Sequence, residues 1–162
     1  MTATAAAERE RLPKLDERER RMLRAAVLRV LPSTGGAGAS EAGCADYVIG
    51  TLERRRPPRF VGEMRRGVAF AESLAEQMAG ESFADASGEE QDRILRQLQR
   101  TPHPTVQRFL RRLVRLTLEG FLCDPRHGGN RARAGWIRLG LDGARAPGAC
   151  LETDPARRPD RR

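Results

Sequence analysis

The side chains able to do covalent or acid–base work are few and scattered. The imidazoles are His103 and His127, and the thiols are Cys44, Cys123 and Cys150. There is no Gly-x-Ser-x-Gly elbow, and neither histidine stands near a serine or cysteine at a spacing that would pair a nucleophile with its base. The cysteines are odd in number, far apart and without a Cys-x-x-Cys pair. They therefore read as buried or unreactive thiols rather than a disulfide framework, a zinc site or a haem attachment. Gly35-Gly-Ala-Gly has no strand before it and no Lys-Ser/Thr after it, so it is a flexible loop and not a phosphate cradle. Glu89 and Glu90 are adjacent carboxylates, but they open a helix, where the macrodipole accounts for them. No catalytic, cofactor-binding or metal-binding residue is assigned, and a self-contained enzyme is not expected.

Two other constellations are better suited to recognition. Arg108, Arg111, Arg112 and Arg115 stand at i, i+3, i+4 and i+7, which puts them on one helix face. Such a stripe suits an acidic partner or nucleic acid, and equally the solvated side of an amphipathic helix. Nucleic-acid binders interleave aromatics for stacking; the one aromatic here, Phe109, falls on the apolar face. The second constellation is the run from Leu116 to Trp136. Gly120 permits a close approach to the helix, and Asp124-Pro125 stops it, because proline disfavours the α conformation in the residue before it. Gly128, Gly129 and Asn130 suit positive φ values and a tight turn. Trp136, the single tryptophan, is a natural anchor for that loop.

The overall charge is +8, from 30 basic and 22 acidic residues, and Lys14 is the only lysine. The preference for arginine, with abundant Ala and Gly, matches a GC-rich coding bias. Residues 105–140 hold eight basic and two acidic residues, so +6 of the +8 lies in the segment that carries both constellations. Basicity this local fits one docking face on a protein partner better than a general affinity for nucleic acid; a basic helical nucleic-acid-binding module is the alternative.

The elements that must position these residues are helices. The apolar spacing predicts a first helix over about Asp16 to Leu31, ended by Pro32, and a second starting near Ser40 as N-cap, burying Ala45, Val48, Ile49 and Leu52. Arg54-Arg-Arg-Pro-Pro breaks the second. A third covers about Phe60 to Ala79, with Val61, Met64, Val68, Ala71, Leu74, Ala75 and Met78 inward and Gly80 as C′. A fourth starts at Ser87 with Glu90 as a capping box and buries Ile94, Leu95 and Leu98. A fifth runs from Pro104 to Leu122, with Val106, Phe109, Leu110, Leu113, Thr117, Gly120 and Phe121 on one face. No period-two pattern and no internal repeat is present. The expected architecture is all-α: a single-domain bundle of about five helices over residues 15–141, a structured Gly-rich C-terminal loop, a frayed N-terminus (1–14) and a disordered tail (142–162). No 18-residue apolar run predicts a membrane span, and no export signal is recognisable at the N-terminus.

The string Thr117-Leu-Glu-Gly-Phe, Asp-Pro-x-x-Gly-Gly-Asn and Gly135-Trp resembles the signature of the gluconate 2-dehydrogenase subunit 3 family. Leu23-Arg-Ala-Ala-Val-Leu-Arg-Val-Leu-Pro is similar to that family's first helix. Gly38-Ala-Ser-Glu-Ala-Gly-Cys-Ala-Asp-Tyr-Val is similar to its small-residue loop and second helix, and Phe83-Ala-Asp-Ala-Ser-Gly-Glu-Glu-Gln to the run into the fourth. The likeness covers about residues 15–141. It implies an accessory, non-catalytic small subunit that packs on a glucose-methanol-choline type oxidoreductase carrying FAD and supports its folding. A cytochrome c subunit with haem c passes electrons onward in such complexes; no cofactor is expected in this chain. The resemblance places the complex in the periplasm or at the membrane, whereas the missing export signal leaves the cytoplasm open. Glu119, Gly120, Asp124, Gly128, Gly129, Asn130 and Trp136 match the motif and are expected to shape the docking surface together with the four stripe arginines. His127 joins them, standing where the family pattern carries an aromatic.

Overall fold

Asp16 begins the first helix of the computed structural model, which describes residues 14–54 and 56–141. Its carboxylate accepts from the Glu19 N–H at 2.7 Å, and the Glu19 carboxylate accepts from the Asp16 N–H at 2.8 Å. This reciprocal capping box launches α1 (Glu17–Val30). There follow α2 (Cys44–Arg54), α3 (Pro58–Ala79), α4 (Gly88–Arg100), α5 (Pro104–Leu122) and, after two 3-10 turns (Pro125–His127 and Arg131–Arg133), a short α6 (Ala134–Arg138). The described residues contain no strand, so the all-α, single-domain expectation holds, with α6 added to the five predicted helices. Ser87 and Glu90 form the predicted capping box of α4, and α5 has the predicted limits. The expected N-terminal fraying and the disordered tail, with Cys150, lie outside the described residues, apart from Lys14.

Three local expectations are corrected. The second helix does not start at Ser40. Gly43 takes a left-handed φ of +66°, and the Ser40 and Ala39 carbonyls close turns onto the Gly43 and Cys44 N–H groups, so the α-helical ladder begins only at Cys44. The break after the second helix falls at Arg54 as expected, and the third helix opens not near Phe60 but at Pro58. It occupies the first turn of α3, where its missing N–H would have had no partner. Met78, predicted inward, is exposed; the last buried residue of α3 is Ala75, and the final turn runs past the core.

Helix α5 is the central element and packs against α1, α2, α3 and α4. Val106, Phe109, Leu113, Leu116 and Thr117 are buried along it, while Leu110 is only half-buried. The α3–α5 crossing is close because Gly67 lies against Phe109: a Cβ there would sit 2.6 Å from the ring edge. Ion pairs tie the outer helices together, including a two-pronged Arg29–Asp92 pair at 2.7 and 2.5 Å between α1 and α4. Among the described residues no helix is long and apolar enough to cross a membrane.

Candidate functional site

The end of α5 is closed by the loop that follows it. Cys123 and Asp124 are extended, as the residues ahead of Pro125 must be, and the helix stops there. An α-helix leaves its last four carbonyls without helical partners. Here the loop supplies partners for two of them. The Asn130 N–H donates to the Gly120 carbonyl at 2.6 Å, and the Trp136 Nε1–H donates to Leu122 O at 2.9 Å. The Asn130 Nδ2 donates to Cys123 O at 2.9 Å, and its Oδ1 accepts from the Gly135 N–H at 2.8 Å. Asn130 is fully buried and left-handed (φ 46°), so one residue joins the tail of α5 to the start of α6.

Close backbone approach makes this possible. A Cβ on Gly120 would stand 2.8 Å from the Tyr47 ring, and one on Gly129 would stand 2.9 Å from the Gly120 Cα with the carbonyl oxygen nearer still. Gly135 abuts the Phe121 carbonyl in the same manner. The expected positive φ is present at Gly128 (94°) and Asn130, but not at Gly129, whose constraint is space. Ala132 and Arg133 are also left-handed, at φ 50° and 58°. Each costs about 1–2 kcal/mol for an L-residue, so the surrounding bonds must hold them there.

The loop is fastened to α2 as well. The Arg131 N–H donates to Ala42 O at 3.1 Å, and its guanidinium reaches Asp46 at 2.6 Å. Asp46 also accepts from Arg24 at 2.8 Å. Burial pushes the Asp46 carboxyl up, but the two guanidinium hydrogen bonds outweigh it and hold the group below its ordinary range. Arg138 donates to the Ala37 carbonyl at 2.7 Å, which ties α6 to the glycine-rich loop. Asp124 accepts from the Arg126 N–H at 2.9 Å and from its guanidinium at 2.9 and 3.1 Å. Those bonds draw its carboxyl down to about 2.

The arginine stripe is not uniform. Arg112 turns inward, ion-paired with Glu63 and lying 4.2 Å over the Phe60 ring. Arg115 is exposed but paired with Glu119 at 2.8 Å, and Glu119 also accepts from Arg56 at 2.9 Å. Arg108 and Arg111 are exposed, and among the described residues no carboxylate lies within ion-pairing distance of either. Of the motif residues, Gly120, Gly129 and Asn130 are buried, Glu119, Asp124 and Trp136 are half-buried, and His127 and Gly128 are exposed. The loop residues gather at one end of the bundle, while the stripe extends from that end along α5.

Sequence reasoning missed the row between them. Val114, Leu118 and Leu122 are each 42% exposed. They border an open groove of about 730 Å³ whose other walls include Tyr47, Arg111, Arg115 and Cys123. Their i, i+4, i+8 spacing was visible, but the core face of α5 already accounted for its amphipathic pattern. Beyond the loop, Ile137, Leu139 and Leu141 are exposed too.

Among the described residues no group of three or more His, Cys, Asp and Glu could hold a metal ion. His103 caps the start of α5, its Nδ1 accepting from the Thr105 N–H at 3.3 Å. No curated protein and no solved structure matches the chain. A family model described as gluconate 2-dehydrogenase subunit 3 matches residues 17–143, from the first turn of α1 past the end of α6. With most of its length so matched, and with the motif residues assembled into one closed structure at the end of α5, the chain belongs to the gluconate 2-dehydrogenase subunit 3 family.

Proposed function

We propose that this chain is a non-catalytic accessory subunit that docks on, and supports the folding of, a larger dehydrogenase subunit of the glucose-methanol-choline type. On this reading FAD and the oxidation of gluconate, another sugar or an alcohol belong to that partner, and haem c to a third, cytochrome subunit. The observation that carries the reading is the use made of the motif. Gly120, Gly129, Gly135 and Asn130 are buried at close contacts that fix the end of α5 beside an exposed apolar row. A surface held rigid in this way recognises a partner with little ordering cost. The nucleic-acid reading draws less support, since two of the four stripe arginines are occupied by Glu63 and Glu119.

The test is expression of a glucose-methanol-choline type flavoprotein from the same genome, with and without this chain. The expected result is a stable, FAD-loaded flavoprotein recovered only as the complex, with the small subunit alone colourless. A flavoprotein that folds, loads FAD and turns over normally without this chain would falsify the proposal.

A further inference from the structure

We infer that the Val114–Leu118–Leu122 row of α5 seats an amphipathic helix of the flavoprotein subunit, one whose apolar face is flanked by carboxylates; the inference rests on the accessory-subunit reading above. Eight residues of α-helix rise about 12 Å, so the row offers roughly two turns of ridge at i, i+4 spacing. That is the surface into which a second helix packs its own i, i+4 ridge. Val114 also borders a second groove of about 560 Å³, lined in part by Val30, Leu95 and Leu110. The apolar path therefore continues from the loop end of α5 toward α1 and α4.

Charge chooses among occupants. The groove wall carries Arg111, which has no carboxylate at ion-pairing distance among the described residues, and Arg115. Its one carboxylate, Glu119, is already shared by Arg56 and Arg115. Arg108 lies one turn before Arg111. A second copy of this chain, packed through the same face about a two-fold axis, would bring these basic rims together. A helix with acidic flanks would neutralise them, and like-charge apposition is disfavoured across an interface. The position of the row is fixed at its far end by the Trp136 hydrogen bond to the Leu122 carbonyl.

The test places a benzophenone amino acid at position 118 of the full chain, with a control at position 78 on the exposed end of α3, in the complex with the flavoprotein. Irradiation at 118 is expected to cross-link a helical flavoprotein segment bearing Asp or Glu beside apolar residues, while position 78 leaves that segment untouched. Arg111→Glu should weaken the complex about tenfold or more, and added salt should weaken the unmodified complex more than the variant. Arg111 is exposed, so the variant should melt with the parent. A cross-link from 118 to a second copy, no cross-link at 118, or undiminished affinity of Arg111→Glu in an intact complex overturns the inference and leaves the subunit reading standing. No complex with the flavoprotein at all overturns both.

Discussion

Gly129 lies against the backbone of Gly120, so close that a Cβ would stand 2.9 Å from the Gly120 Cα and nearer to its carbonyl oxygen. Backbone cannot swing aside as a side-chain tip can. Gly129→Ala should therefore destabilise by about 1–3 kcal/mol, the usual cost of overpacking. Gly128→Ala is the informative comparison. It meets nothing within 4 Å but sits at φ 94°, so its penalty is conformational, about 1 kcal/mol. Thermal melts should rank the alanine variant at 129 below the one at 128; the reverse order would place the constraint in φ rather than in space.

Asn130 separates conformation from hydrogen bonding. Glycine accepts its left-handed backbone but deletes both side-chain bonds, leaving Cys123 O and the Gly135 N–H without these partners. Unmade bonds at buried groups cost about 1–3 kcal/mol each, so Asn130→Gly should lower the melting temperature clearly. Asn130→Asp keeps an acceptor for Gly135 but loses the donor to Cys123 and buries a charge, so it should be at least as damaging. A glycine variant as stable as the parent would show that the backbone angle alone selects asparagine here.

Much of this was legible beforehand because it is local. Asp16, Ser87 and Pro104 announce helix starts through their own backbone chemistry, and the observed starts agree. The break after α2 was legible too, but the start of α3 at Pro58 was not, because the same ring that breaks a helix interior is welcome in its first turn. The exposed row Val114–Leu118–Leu122 was hidden because a 3.6-residue period identifies an apolar face without saying whether anything covers it. Whether Gly129 serves φ or space depends on Gly120, nine residues away and brought there only by the completed turn. Met78 fits the inward pattern of α3, and only the end of the core around it decides its exposure.

Asp124 gives the loop a pH dependence of definite sign. Its folded carboxyl is held at about 2 by the Arg126 side chain and N–H, against about 3.9 in an unfolded chain. The folded group binds its proton less readily, so its stabilising contribution is complete above the unfolded value. That contribution is lost as pH falls through 3.9 toward 2. A carboxyl-detected titration should show a midpoint near 2. In Arg126→Ala the midpoint should move up toward the ordinary value, and in Asp124→Asn the transition should vanish while the capping acceptor remains. An unchanged midpoint in Arg126→Ala would remove the guanidinium from the explanation.

Cys44 sets two opposing effects against each other. It is the first residue of α2, and a helix N-terminus favours a thiolate. It is also fully buried, and that burial, with nearby Cys123 adding to it, pushes the thiol up to about 12. Burial wins by several orders of magnitude. At pH 8 only about one in ten thousand Cys44 thiols would be ionised, and the thiolate is the species that alkylates. Iodoacetamide at pH 8 should therefore leave Cys44 unmodified in the native protein and modify it only as the bundle unfolds. Its labelling curve in denaturant should coincide with loss of helix by circular dichroism. Modification well before that transition would mean that the start of α2 opens independently of the core.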